Sequence, residues 1–100
     1  MNAARRKAIR ALAAEVAALN AILSDAIGKA EDLYSQLEEL KDEEQEYYDN
    51  MPEGLQNSDK GYVAQEAIDN LDRALEALSS LKDFDNELEN AADAMESACG

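Results

Sequence analysis

Hydrophobic positions in the first half of the chain recur at alternating steps of three and four residues. The repeat comprises Ile9, Leu12, Val16, Leu19, Leu23, Ala26, Ala30, Leu33, Leu37, Leu40, Tyr47 and Met51, and Glu44 is its one polar break. A seven-residue repeat of this length is typical of a continuous helix whose seam packs against other helices. It predicts one helix over residues 3–49, about 70 Å long at a rise of 1.5 Å per residue.

A cluster of turn-forming residues ends this pattern. Pro52 cannot continue a helix, and it biases the preceding residue away from helical angles. Gly54, Gly61 and the polar run Asn57, Ser58 and Asp59 follow within a few residues. We therefore predict a turn over residues 50–61, with one of those three polar residues capping the next helix.

The helical pattern then resumes, and it predicts a second helix over residues 61–98. Its hydrophobic stripe shifts between Leu78 and Phe84. Because the linker is short, the two helices should be antiparallel neighbours, with residue i facing roughly residue 113 − i. The second helix would then end opposite residues 13–17, leaving the first dozen residues as an overhang. No stretch shows the alternation of a strand, so we expect an all-α fold, a coiled-coil-like helical hairpin.

The first helix offers more than one hydrophobic stripe, which favours self-association. Ile22 flanks the seam on one side, and Ala13, Ile27, Tyr34 and Tyr48 flank it on the other. A seam this wide suits three or four helices better than two. We predict a single domain, residues 1–100, that dimerises into a four-helix bundle. The expected interface residues are Arg5, Ile9, Leu12, Val16, Leu19, Ile22 and Ile27.

The charge is strongly negative and unevenly placed. The chain has 9 basic and 23 acidic residues, a net charge of −14, and the four cations Arg5, Arg6, Lys7 and Arg10 lie near the start. A chain this acidic repels nucleic acid and anionic lipid along most of its length, so we expect direct binding of neither. The four cations oppose the helix dipole. We expect acidic residues in the second helix of a partner chain to offset them, and an external anion is the alternative.

Residues 31–53 hold ten carboxylates and one lysine. One interpretation is a nucleic-acid mimic that occupies the phosphate-binding groove of another protein, and the other is a solvated face that maintains solubility. Tyrosines near the turn suggest either a docking patch or local packing that closes the turn. The expected partner-binding residues are Glu38, Glu39, Asp42, Glu43, Glu46, Tyr47 and Tyr48.

The residue types that most catalytic and metal sites require are missing. The sequence has no histidine and a single cysteine, Cys99, which argues against zinc sites and against Ser-His or Cys-His nucleophiles. No glycine-rich phosphate loop occurs. We therefore expect no enzymatic activity, no cofactor and no metal. No uninterrupted apolar run approaches 18 residues, so we expect neither a membrane span nor a signal peptide, and a cytoplasmic location.

The segment from Leu37 to Leu78 resembles a group of known proteins. The features that carry the likeness are the acidic run Asp42-Glu43-Glu44-Gln45, the turn Tyr48-Asp49-Asn50-Met51-Pro52-Glu53-Gly54-Leu55-Gln56 and the helix Ala67-Ile68-Asp69-Asn70-Leu71. They are similar to small acidic proteins of unassigned function in bacteriophage and prophage genomes. The resemblance implies a helical hairpin and a phage origin, and thus a location in the host cytoplasm.

The leading functional hypothesis is a non-enzymatic protein–protein interaction module with an unidentified protein partner. The first alternative is an acidic nucleic-acid mimic that inhibits a host nuclease or defence complex, of the anti-restriction or anti-CRISPR type. This alternative rests on the common role of small acidic phage proteins as inhibitors, which is an argument by analogy. The second alternative is a structural or assembly protein whose length acts as a spacer.

Overall fold

The computed structural model describes residues 2–100, and this part of the chain contains helices and no strand. Its elements are α1 (Ala3–Asp49), α2 (Glu53–Gln56), α3 (Asp59–Ser80), a 3₁₀ segment (Leu81–Phe84) and α4 (Glu87–Ala98). The all-α prediction is confirmed, and α1 has the predicted bounds. The prediction of one uninterrupted second helix is wrong, because the 3₁₀ segment separates α3 from α4.

α1 begins with a side-chain cap. The Oδ1 atom of Asn2 accepts a hydrogen bond of 2.7 Å from the backbone N–H of Arg5, which satisfies one of the unpaired donors of the first turn. The charges, in contrast, oppose the helix dipole at both ends. The first turn of α1 has no acidic residue and the last turn has no basic one. The helix therefore gains nothing from its dipole and depends on propensity and packing.

The turn after α1 contains a short helix of its own. The N–H groups of Leu55 and Gln56 both donate to the carbonyl of Pro52, at 2.8 and 3.1 Å, and these bonds form α2. α3 then begins at Asp59, two residues earlier than predicted. Ser58, one of the three expected caps, donates its hydroxyl back to the carbonyl of Leu55. The predicted turn is therefore partly helical, and the Ser58 hydroxyl bonds within it.

Residues 30–80 form one compact unit, in which α1 contacts α3. The Nζ atom of Lys41 forms an ion pair with Asp72, and the Nε2 atom of Gln65 donates to the hydroxyl of Tyr48. In both pairs the residue numbers add up to 113, so the predicted pairing holds within this unit. Its buried apolar residues are Ala30, Met51, Ala64, Ile68 and Leu75.

Residues 2–29 and 81–100 form the second unit. Ala13, Ile27 and Cys99 are buried here, and the Cys99 thiol donates to the backbone carbonyl of Arg6 over 3.7 Å. These residue numbers add up to 105 rather than the predicted 113, so the end of the chain reaches Arg6 instead of stopping opposite residues 13–17. The prediction of a twelve-residue overhang is therefore wrong. A 3₁₀ helix rises about 2.0 Å per residue against 1.5 Å in an α-helix, so a given length is covered by fewer residues. Over four residues this adds only about 2 Å, against the roughly 12 Å that eight residues of α1 span, so the 3₁₀ segment accounts for a small part of the displacement.

Candidate interaction surface

A row of half-exposed apolar side chains follows α1 at seven-residue intervals. We call it the outer row, and it consists of Leu12, Leu19, Ala26, Leu33, Leu40 and Tyr47. Its five large side chains are between 49% and 55% exposed. Ile22, which lies beside the row, is 65% exposed. Seven-residue spacing places neighbouring members of the row on the same side of the helix, with a drift of about 20° per heptad in a straight helix.

The outer row is exposed because the chain covers only the adjacent part of the stripe. The buried residues of α1 are Ala13, Ile27 and Ala30. Ala30 belongs to the second row of the seam, and Ala13 and Ile27 flank the seam on the side away from Ile22. Within the chain only part of the predicted seam is covered, and the outer row, which includes the predicted interface residues Leu12 and Leu19, is exposed. Small side chains explain the difference, because alanine at positions 13, 30 and 64 allows close approach of the helices at the covered face.

In the unit of residues 30–80, the end of the outer row continues into an apolar surface beside the turn. Tyr47 and Val63 line a shallow open groove, and Tyr47 also lines a second groove with Met51 and Leu55. Val63 is 66% exposed, and Leu55 is 45% exposed. Both grooves are open to solvent and their walls are mostly apolar, which is typical of a docking surface rather than of a small-molecule site.

The two neighbouring tyrosines that the sequence grouped together have different environments. Tyr48 is half-buried: its hydroxyl accepts from Gln65, and its backbone carbonyl accepts a 3.0 Å hydrogen bond from the Nε2 atom of Gln56. Tyr48 thus helps to hold the turn against α3. Tyr47 instead lies at the end of the exposed outer row. The local-packing interpretation fits Tyr48, and the docking interpretation fits Tyr47.

Carboxylates surround the outer row at its C-terminal end. All five predicted acidic residues are exposed, namely Glu38, Glu39, Asp42, Glu43 and Glu46. Lys41 is the one cation between residues 31 and 53, and the pKa of its amino group is raised above 10.5, chiefly by the hydrogen bond to Asp72. Because Lys41 is occupied by this partner, the negative charge of the adjacent surface remains uncompensated.

The basic N-terminal cluster has no acidic partner in the described part of the chain. Across residues 2–100, no carboxylate lies within ion-pair distance of the side chains of Arg5, Arg6, Lys7 or Arg10. The predicted interface residues divide into three groups. Arg5, Leu12, Leu19 and Ile22 are exposed, Ile9 and Val16 are half-buried, and Ile27 is buried within the chain. Only the exposed group lies open to a partner.

The described residues, 2–100, include no candidate metal site. No group of three histidine, cysteine, aspartate or glutamate side chains is placed to hold a metal ion there. A polar groove lined by Tyr34, Lys41, Asp72 and Glu76 is widely open. The outer row was missed as a separate feature at the sequence level, although its seven-residue spacing was visible, because spacing does not show which row a neighbour covers.

Two further findings bear on location and ancestry. One stretch of α1 is long and apolar enough to cross a membrane by length and composition, with a mean hydropathy of 1.4, and only 11% of it is buried. This is weak evidence, since a signal sequence or a soluble core helix passes the same test. No protein-family model, curated protein or solved structure matches the chain.

Proposed function

We propose that the protein is a non-enzymatic protein–protein interaction module of the cytoplasm that acts as a homodimer. In this proposal α1 and the α3–α4 part of the chain form an antiparallel, coiled-coil-like hairpin, and two hairpins form a four-helix bundle through their outer rows. The observation that carries the proposal is the half-exposed outer row. Scattered exposed apolar residues are ordinary on a monomer, but a heptad-spaced row of them is typical of an interface.

The energetics also favour covering this row. Fully burying a leucine side chain is worth about 1.5–3 kcal/mol, so covering the exposed half of each contributes on the order of 1 kcal/mol. Leu12, Leu19, Leu33 and Leu40 each make this gain in both copies of a symmetric dimer. The total competes with the cost of association, which is on the order of 4–15 kcal/mol. An interface of leucines alone is therefore marginal, and complementary charges add to it.

A membrane partner for the same row is less favourable. The apolar stretch of α1 contains Glu15 and Asp25, and a charged residue at the centre of a spanning helix costs about 2.5–3.5 kcal/mol. Lying flat on an anionic membrane would bring the N-terminal cations to the lipid but also the carboxylates of residues 31–53. A protein surface avoids both costs, so we favour a protein partner.

The acidic mimic remains the second candidate, and the exposed carboxylates of residues 31–53 favour it. The likeness of the turn region to small acidic phage proteins supports the same hypothesis, an inhibitor of a host nuclease or defence complex. A mimic should lose its target steeply between low and moderate salt, whereas an interface of leucines should not. The third candidate, an assembly spacer, draws its support from the 47-residue length of α1.

Sedimentation equilibrium at micromolar concentration tests the proposal. We expect a dimer for the natural chain and a folded monomer for the double variant Leu33→Glu/Leu40→Glu. The matched control is Ala21→Glu/Ser35→Glu, which adds the same charge at exposed positions of α1 away from the outer row. It should stay dimeric. A monomeric natural chain, or equal dissociation of variant and control, would overturn the proposal.

A further inference from the structure

We propose that the outer row binds the outer row of a second copy in antiparallel orientation, with the paired residue numbers adding up to 59. Leu12 then lies beside the partner's Tyr47, Leu19 beside Leu40, and Ala26 beside Leu33. This inference rests on the proposed self-association. It adds which surface of the second copy binds, in which direction and in which register.

The charges of α1 favour the antiparallel direction. The cations Arg5, Arg6, Lys7 and Arg10 lie at its N-terminus, and Glu46 and Asp49 lie in its last turn. Both sets oppose the dipole of their own helix. An antiparallel copy brings each basic end against the acidic end of the other chain. A parallel copy would instead place cations against cations and carboxylates against carboxylates.

Arg5 makes this complementarity specific to the outer row. It lies seven residues before Leu12, so it continues the row by one step, and its side chain is exposed without an acidic partner in residues 2–100. In the proposed register its counterpart is position 54, which lies in α2 of the second copy just beyond the last turn of α1. Glu53 is adjacent to this position in the sequence, and Glu46 and Asp49 lie in that last turn, so the cation approaches an acidic end that its own chain does not provide.

The register follows from coverage of the row. A pairing sum of 59 matches all six positions of the outer row with six positions of the second copy. A shift by one heptad, to a sum of 52, leaves Tyr47 without an outer-row counterpart. A shift by two heptads, to 45, leaves both Leu40 and Tyr47 unmatched. The full match therefore removes the most apolar surface from water.

One residue distinguishes the registers by charge. With a sum near 59, Glu15 lies close to the partner's Glu43, which is a repulsive contact. With a sum near 45, Glu15 would lie close to the partner's Lys29, which is an attractive one. Reversing the charge at position 15 therefore has opposite effects in the two registers.

Disulfide cross-linking tests direction and register in the full chain carrying Cys99→Ala. Leu12→Cys chains mixed with Tyr47→Cys chains should give a cross-linked heterodimer after mild oxidation. Each variant alone, and a mixture of Leu12→Cys with Leu33→Cys, should cross-link no more than the outward-facing control Ala21→Cys. Efficient linkage of Leu12→Cys to itself would establish a parallel dimer, and linkage of positions 12 and 33 would establish the shorter register. Either result overturns the inference.

The charge reversal Glu15→Lys provides the second measurement. We expect the dimer dissociation constant to fall about threefold or more relative to Asp42→Lys, which makes the same charge change on the outward side of α1. A higher dissociation constant for Glu15→Lys would overturn the register. If the natural chain is monomeric, the proposed self-association itself fails. A dimer that shows neither the 12–47 linkage nor the charge effect overturns only the inference made here.

Discussion

Gly61 is the residue whose identity the fold constrains most directly. A Cβ atom added there would lie 2.0 Å from the carbonyl oxygen of Gln56 and 2.4 Å from its carbon, so no side chain fits without a backbone shift. The contact joins the end of α2 to the start of α3. Gly28 is the opposite case, because a Cβ atom there meets nothing within 4 Å.

These two glycines make a matched pair of substitutions. Gly61→Ala should lower the free energy of unfolding by about 1–3 kcal/mol, because the backbone of the turn must move. Gly28→Ala should raise it by about 1 kcal/mol, since alanine is the better helix former in open space. Urea unfolding at one fixed protein concentration measures both. Equal effects of the two substitutions would show that α3 does not start against Gln56 as described.

At the scale of the elements, the interruption between α3 and α4 is the main departure from the predicted second helix. The hydrophobic stripe of the second half shifts between Leu78 and Phe84, and the 3₁₀ segment Leu81–Phe84 lies at this shift. Phe84 is 56% exposed, whereas Leu81 and Leu88 on either side are half-buried. The stripe shift was visible in the sequence. The contact of the chain end with Arg6 was not, because it depends on the path of every element after the turn.

The reactivity of the Cys99 thiol tests the contact between the end of the chain and Arg6. Cys99 is 4% exposed and contacts the backbone of Arg6, so deleting residues 2–12 should expose the thiol. We expect its reaction with Ellman's reagent in the truncated chain to be about tenfold faster or more, because exposure no longer requires local opening. Arg6→Ala is the control: it retains the backbone carbonyl, so the thiol should remain slow to react. Equal rates in full and truncated chains would contradict the contact.

At the scale of the whole molecule, self-association should make stability depend on concentration. A partner that binds only the folded chain raises the melting temperature as its concentration rises. We expect Tm to increase when the natural protein is concentrated from about 1 µM to about 100 µM, by an amount that follows from linkage. The Leu33→Glu/Leu40→Glu variant should show the same Tm at both concentrations. A natural chain with a constant Tm would indicate a stable monomer over this range.

The sequence by itself determined the helical character of the chain and much of its first half. The heptad spacing and the stop at Pro52 gave the bounds of α1, and the short linker gave the pairing seen in Lys41–Asp72 and Tyr48–Gln65. These features are local, because a helix ends where proline and glycine interrupt it and a tight turn fixes the register of the residues beside it.

The tertiary structure alone decided which part of the wide stripe is covered and where the chain end lies. Hydrophobic periodicity defines the width of an apolar face, but it leaves open the angle from which a neighbouring helix approaches. Small residues such as Ala13, Ala30 and Ala64 allow the approach that leaves the outer row exposed. The contact of Cys99 with Arg6 likewise depends on the path of every element after the turn, which hydrophobic spacing does not define.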